Sequence, residues 1–367
     1  MYRYTGGIDI NYKDILKAIF ICIMIVTLPL SGCTQQADST GDTATATPLM
    51  PSMKVIKVTD TTGKDFTMGR PAERIIVTNS DAAEVLIAIG AGDKIVGIAD
   101  TIRKNPQLAP KLAHAEDIGN WQTPSVEKIV ELRPDVLVSY ASSKPKNVDQ
   151  LEASGVKILY LDCYKMDKVA SDARTLGILT GNEDRANEYA DFIEGHIKMV
   201  QDRTSKMAED QKPDVYVELY STYTTPVKGS GGDQLIEMAG GKNLASDEAT
   251  NKTSIKVSSE WVVSKNPDIM IKMVTSYNST IDNMTAIRGE LMTREGMTLV
   301  DAVKNEKVYT LSGNVAFGPR AVVGLAYAAK IIHPELFADM DPDMVLKEYS
   351  VKYFDGADAG YFVCPDV

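Results

Sequence analysis

The residues able to do chemistry are few and poorly arranged for catalysis. Three histidines occur, His114, His196 and His333, with none of the short spacings that gather zinc ligands. No bare metal ion and no resident cofactor are expected. His196 falls off the main apolar stripe of its helix and is expected in solvent. Ser143-Lys144-Pro145-Lys146 has the Ser-x-x-Lys spacing that lets a lysine activate a serine on one helix face, but Pro145 interrupts that helix. Gly229-Ser230-Gly231-Gly232 has the small residues of a phosphate cradle. A dinucleotide fingerprint would need glycine where Gln234 stands, and no Walker lysine follows. The segment reads as a tight strand-to-helix turn whose amides can face an anion. With no titratable cluster, an exported enzyme is the weaker of two function classes and a binding module the stronger.

The N-terminus bears on where such a module works. Arg3, Lys13 and Lys17 precede a mostly apolar run over residues 19–30, which closes on Leu30-Ser31-Gly32-Cys33. A basic start, a short apolar core and small residues before a cut site make a secretory signal. The run is about a dozen residues, short of the roughly 20 that span a bilayer. Leu-Ser-Gly-Cys resembles a lipobox, so residues 1–32 are expected to be a lipoprotein signal, with a lipid on Cys33 anchoring the rest to the outer face of the membrane. An uncleaved N-terminal anchor is the alternative. Residues 33–53 are Thr, Ala, Ser, Gly, Asp and Pro with almost no large apolar side chains, the composition of a flexible tether. Of the remaining cysteines, Cys163 and Cys364 could pair in an oxidising exterior, but spacing does not decide it. Sequons stand at Asn251, Asn278 and Asn283. The formal charge of −11 with no basic block argues against nucleic acid as a partner.

Beyond the tether, strands alternate with amphipathic helices. Residues 55–68 read as a hairpin. Strands follow at 74–77, 95–98, 136–138 and 156–161, with helices at 82–89, 126–132 and 148–154 between them. This rhythm implies βαβ units and a buried parallel sheet. From residue 183 to about 208, Ala186, Tyr189, Ala190, Ile193, Ile197 and Val200 recur at helical spacing, predicting one helix of about 37 Å. The pattern then restarts, with strands at 215–217, 269–271 and 308–310 and helices at 234–239 and 321–332. The organisation is therefore an N-terminal α/β lobe over 54–182, a connecting helix over 183–208 and a C-terminal α/β lobe over 209–367.

The order of local motifs resembles the substrate-binding proteins of ABC importers for vitamin B12, ferric siderophores and haem. The resemblance rests on Val58-Thr59-Asp60 leading to Arg74-Ile75-Ile76-Val77, on Ser125-Val126-Glu127-Lys128-Ile129-Val130 leading to Arg133-Pro134-Asp135-Val136-Leu137-Val138, and on the same form in Ser259-Glu260-Trp261-Val262-Val263 with Asn266-Pro267-Asp268-Ile269. Ala239-Gly240-Gly241-Lys242-Asn243-Leu244, Gly318-Pro319-Arg320 and His333-Pro334-Glu335-Leu336-Phe337 complete it. It implies a class III periplasmic binding protein, two Rossmann-like lobes joined by one long α-helix. Such a receptor takes a metal chelate (corrinoid, ferric siderophore or haem) and hands it to permease subunits, with an oxyanion such as molybdate or tungstate as a rival ligand. It places Glu127 and Glu260 on equivalent helices, where they would meet permease arginines. The ligand is expected between the lobes at the C-terminal ends of the strands, against Trp121, Tyr140, Tyr223 and Phe317, whose flat rings suit a macrocycle or a catecholate. Arg320 is expected to contact the ligand, and its near isolation among the second lobe's loops favours a less anionic one. Trp121 matches a ligand-contacting tryptophan of the B12-binding member.

Overall fold

The first lobe grows from runs of Ile, Val and Leu too apolar to face water on either side. In chain order its elements are β1 (Ile56–Thr59), β2 (Asp65–Met68), β3 (Ile75–Val77), α1 (Ser80–Ala88), β4 (Ile95–Ile98), α2 (Asp100–Arg103), β5 (Glu116–Asp117), α3 (Val126–Leu132), β6 (Val136–Ser139), α4 (Val148–Ala153), β7 (Ile158–Tyr160) and α5 (Val169–Thr180). In this computed structural model residues 55–275, 279–356 and 362–367 are described, so the expectations for residues 1–53, Cys33 included, and for Asn278 lie outside the described residues. β1 and β2 form an antiparallel hairpin, and the other strands make a five-stranded parallel sheet in the order β5-β4-β3-β6-β7.

Helix α6 (Glu183–Thr204) leaves this lobe, shorter than the predicted 183–208 because it ends at the Ser205 cap. The second lobe follows: β8 (Asp214–Glu218), β9 (Thr224–Pro226), α7 (Gly231–Met238), β10 (Lys242–Asn243), β11 (Ser254–Lys256), α8 (Ser259–Lys265), β12 (Ile269–Val274), α9 (Ile281–Thr293), α10 (Asp301–Lys304), β13 (Val308–Ser312), α11 (Gly313–Ala316), α12 (Ala321–Ile332), α13 (Pro342–Tyr353) and β14 (Val363–Cys364). Its five-stranded sheet runs β10-β8-β12-β13-β14, parallel except for β14 at one edge. The fold is thus α/β, with two parallel sheets and one long connecting helix. Cys163 and Cys364 are both buried free thiols.

The two lobes repeat one local device. α3 is capped by the Ser125 hydroxyl and ends on Arg133 in the left-handed conformation (φ 47°), while α8 is capped by Ser258 and ends on Asn266 (φ 46°). A proline and an aspartate follow each time, and the aspartate ties back to the first strand of its sheet. Asp135 accepts from the amides of Glu73 and Arg74, and Asp268 from that of Asp214, all at 2.8–3.0 Å. Glu127 and Glu260 therefore sit at the same first-turn position of equivalent helices, both exposed.

Three of the longer helices, α5, α9 and α13, escaped the sequence reading. In α5, Gly177 weakens the helical signal, yet it is required where α5 packs on α6, because a Cβ there would lie 2.3 Å from that of Ala186. In α9 only Met284 and Leu291 are buried, too thin a stripe to read. α13 does carry a stripe, through Val345, Leu346, Tyr349 and Tyr353, and it packs on α12 and reaches α1 of the first lobe. His196 also departs from expectation. It is half-buried, with Nδ1 2.9 Å from the Phe192 carbonyl and its ring against Phe192.

The lobes meet in a buried polar knot. Arg320, 2% exposed, donates from Nε to Glu84 Oε1 of α1 at 2.5 Å, and the Tyr349 hydroxyl donates to the same oxygen at 3.0 Å. The guanidinium lies over the Phe354 ring at 4.8 Å and the Tyr349 ring at 5.7 Å. Tyr189 of α6 donates to the Pro319 carbonyl at 3.2 Å. Next to the knot, Gly318 adopts φ +79°, and a Cβ there would fall 2.6 Å from Asp81 Oδ1 of the other lobe.

Two outcomes follow for stability. Arg320→Ala strands the Glu84 carboxylate and is expected to cost about 3 kcal/mol or more, seen as a lowered denaturant midpoint. Gly318→Ala meets both the wrong backbone region and Asp81, and is expected to cost at least about 1 kcal/mol. Neutral values for both would mean that the lobes are not held together here.

Candidate functional site between the lobes

The strands of both sheets end facing a common crevice, the position where open α/β sheets bind ligands. In the first lobe the turn after β3 opens α1, whose cap Asn79 accepts from the amides of Asp81 and Ala82. Asn79 Nδ2 also donates to the carbonyls of Leu161 and Asp162 beyond β7, lacing two strand ends together. Asp162, buried, accepts from the amides of Ala141 and Ser142 and so fixes the loop after β6.

This scaffold presents an aromatic wall. Trp121 and Tyr140 meet edge to face with ring centroids 5.9 Å apart, and Tyr140 meets Tyr164 at 6.3 Å. They line a cavity of about 380 Å³ together with Thr78, Ser80, Thr101, Ser142 and Ser143. A second cavity of about 380 Å³ shares Ser142 and Tyr164 and continues onto the other lobe, against Leu219, Tyr220, Pro226, residues 229–232, Thr253, Ser254 and Phe317. Among the described residues Lys165 is the one charged residue lining either cavity. Phe317 fits because Gly231 has no side chain: a Cβ there would stand 3.3 Å from its ring.

The five ligand-contact candidates separate. Trp121 and Tyr140 stand together on the first wall and Phe317 faces them from the second lobe. Tyr223 does not line the crevice. In a left-handed conformation (φ 58°), it donates its amide to Glu218 and turns its ring toward the Tyr216 and Trp261 layer beneath Arg294. Arg320 is withdrawn into the knot with Glu84, which corrects the expectation that its fork reaches a ligand. Tyr164 and Tyr220 take the places given to these two. Position relative to the strand end could have shown this for the second lobe: Tyr220 is two residues past β8, whereas Tyr223 already leads into β9.

Buried electrostatics keep other cations out of the crevice. Glu218, fully buried at the end of β8, pairs with Lys272 at 3.0 Å and Arg294 at 2.8 Å. Lys272 also donates to the Leu219 and Tyr220 carbonyls, shaping the loop that carries Tyr220. Two amides at the Gly229 turn are engaged as well. That of Gly229 donates to the Asp233 carboxylate at 2.8 Å, and that of Asp233 to the Ser230 hydroxyl. Behind the wall, burial pushes the Asp81 carboxyl up to about 7, opposed by the hydrogen bond from Tyr140 and aided by Glu84 and Asp162. Burial raises the Tyr140 and Tyr220 hydroxyls, each further raised by the nearby Asp81. On the far end of the second lobe, the Ser258 hydroxyl lowers Glu260. Among the described residues no group of His, Cys, Asp and Glu is placed to hold a metal ion, and no helix is long and apolar enough to cross a membrane.

The chain resembles known proteins in sequence and in fold. The chain is 24% identical to the uncharacterized ABC transporter substrate-binding lipoprotein YvrC of Bacillus subtilis strain 168, over 88% of this chain and 98% of that one. It is 29% identical to a vitamin B12-binding protein of Yersinia pestis, over 59% of this chain and 74% of the other. Among solved structures, the TroA-like periplasmic binding protein FepB of Veillonella parvula superposes with a TM-score of 0.71 at 25% identity, over 84% of this chain and 99% of that one. Residues 75–315, which carry the first parallel sheet, the connecting helix and the parallel strands of the second sheet, match the periplasmic binding protein family, and the chain belongs to it.

Proposed function

We propose that this chain is a lipid-anchored extracytoplasmic receptor that binds a metal chelate between its lobes and delivers it to an ABC importer permease. The observation that carries the reading is the crevice itself: aromatic rings from both lobes around two joined cavities with one charged lining residue. Flat rings held by a rigid scaffold offer large contact area at low entropy cost, which suits a flat macrocycle. The similarity to a vitamin B12-binding protein and to a substrate-binding lipoprotein supports the same reading. Cys33 supplies the lipid, and the tether keeps the receptor within reach of its permease.

The charge distribution narrows the ligand. A polyanionic ferric catecholate, or haem held by its carboxylates, calls for several cations to replace the lost hydration, and among the described residues Lys165 is the one cation lining the space. An oxyanion is disfavoured for the same reason, and because the amides of Gly229 and Asp233 already have partners. A chelate with an uncharged rim, such as a corrinoid, fits best. Exposed Glu127 and Glu260, set alike on the two lobes, serve as the docking charges. Such pairs orient an encounter more than they strengthen it.

Titrating the full chain with cobalamin, cobinamide, haem, ferric siderophores and molybdate tests the ligand. Trp121 and Trp261 are the only tryptophans, so quenching by a corrinoid that survives Trp261→Phe and vanishes in Trp121→Phe is expected. Trp121→Ala should weaken that binding about tenfold or more. If none of these ligands moves the emission or the melting temperature, the ligand class is wrong. In cells, Glu127→Ala combined with Glu260→Ala should lower uptake at least about tenfold while affinity stays unchanged; a parallel fall in affinity would contradict the docking role.

A further inference from the structure

Asp81 lies behind the aromatic wall rather than on it. Its Oδ2 accepts from the Tyr140 hydroxyl at 2.8 Å, and that hydroxyl is also 3.2 Å from Ser80 Oγ. Tyr140 in turn stands edge-on to Trp121 and Tyr164. The other oxygen, Oδ1, is packed against Gly318 of the second lobe so closely that a Cβ there would lie 2.6 Å away. One carboxyl thus touches the first wall through Tyr140 and the second lobe through Gly318.

We propose that Asp81 is a positioning residue of the crevice, which holds Tyr140 in place against Trp121 while braced by the opposite lobe, so that the geometry of the ligand-facing wall follows the protonation of this one carboxyl. Its consequence for ligand capture rests on reading the crevice as the receptor site. The positioning itself does not.

The groups that face Asp81 are Glu84 on its own helix, Asp162 and Cys163 beyond β7, Tyr140 at the end of β6 and Tyr220 from the second lobe. Cations of the knot and the crevice serve other carboxylates. Arg320 pairs with Glu84, Lys165 lies 3.8 Å from Asp162, and no ion pair to Asp81 occurs among the described residues. Burial, aided by Glu84 and Asp162, therefore raises this carboxyl to about 7 despite the hydrogen bond from Tyr140. The sign follows. Above that pH the group is an anion and accepts a strong, charge-assisted bond from Tyr140; below it the neutral acid holds Tyr140 less firmly. Because the folded value lies above the unfolded one, ionisation works against the fold, and stability falls as pH rises from about 4 toward 7.

The test needs no ligand. In the full chain carrying Trp261→Phe, the remaining emission comes from Trp121. Scanned between about pH 5.5 and about pH 8.5, it is expected to titrate with a midpoint near 7. Asp81→Asn should abolish the transition. Tyr140→Phe, which keeps Asp81 but cuts its link to the wall, should abolish it too and covers the case in which Asp81→Asn fails to fold. Asp172, which burial raises to about 6, titrates nearby in pH, so a transition that persists in either variant would belong to another group and overturn the proposal. An emission flat across the range in the parent would also overturn it. Failure here leaves ligand binding untouched, and failure of the ligand titration leaves this transition in place.

Discussion

The buried contact of Arg320 with Glu84 is the constraint on which the rest depends. It joins the middle of α1 in one lobe to the turn that begins α12 in the other, and both partners are largely removed from water. A pair of this kind adds little net stability over an apolar filling, but separating its members leaves a charge without hydration. Opening the lobes at this point would do just that. The tyrosines around it, Tyr189 from the connecting helix and Tyr349 from the C-terminal helix, extend the knot to both of those helices. These contacts frame one side of the crevice.

The knot also sets the chemistry of the crevice. Arg320 is consumed within it, and in the second lobe Glu218 consumes Lys272 and Arg294. Cations that might have turned toward a ligand are instead used to hold loops. What remains facing the space is a set of rings and hydroxyls, with hydrogen-bonding capacity but little charge. Under the proposed reading, recognition depends on shape and flat contact area, supported by hydroxyl hydrogen bonds to a ligand rim.

The sequence made the architecture readable because the signals that define it are local. Strand runs such as Val136–Ser139, Ser caps before Glu127 and Glu260, and the six-position stripe of the connecting helix each declare themselves within a dozen residues. The site was only partly readable. Loops at strand ends could be named, so Trp121, Tyr140 and Phe317 were within reach. Which way a loop residue turns depends on distant partners: Tyr223 is turned away by an amide bond to Glu218, and Arg320 is captured by Glu84 from 236 positions earlier in the chain. Helix α5 was hidden for a related reason, since its Gly177 serves a contact with α6 and not the helix that contains it.

A nearly uncharged crevice makes one claim that sets it apart from an ion-pairing receptor, namely indifference to salt. The direct measurement is calorimetric titration of the full chain with cobinamide at about 50 mM and about 500 mM ionic strength, which brings the screening length from about 14 Å to about 4 Å. The expected result is an affinity that changes by less than about twofold, since few charges face the ligand to be screened. A loss of about tenfold or more across that range would mean that charge pairing dominates recognition, and would contradict the assignment of Arg320, Lys272 and Arg294 to structural roles.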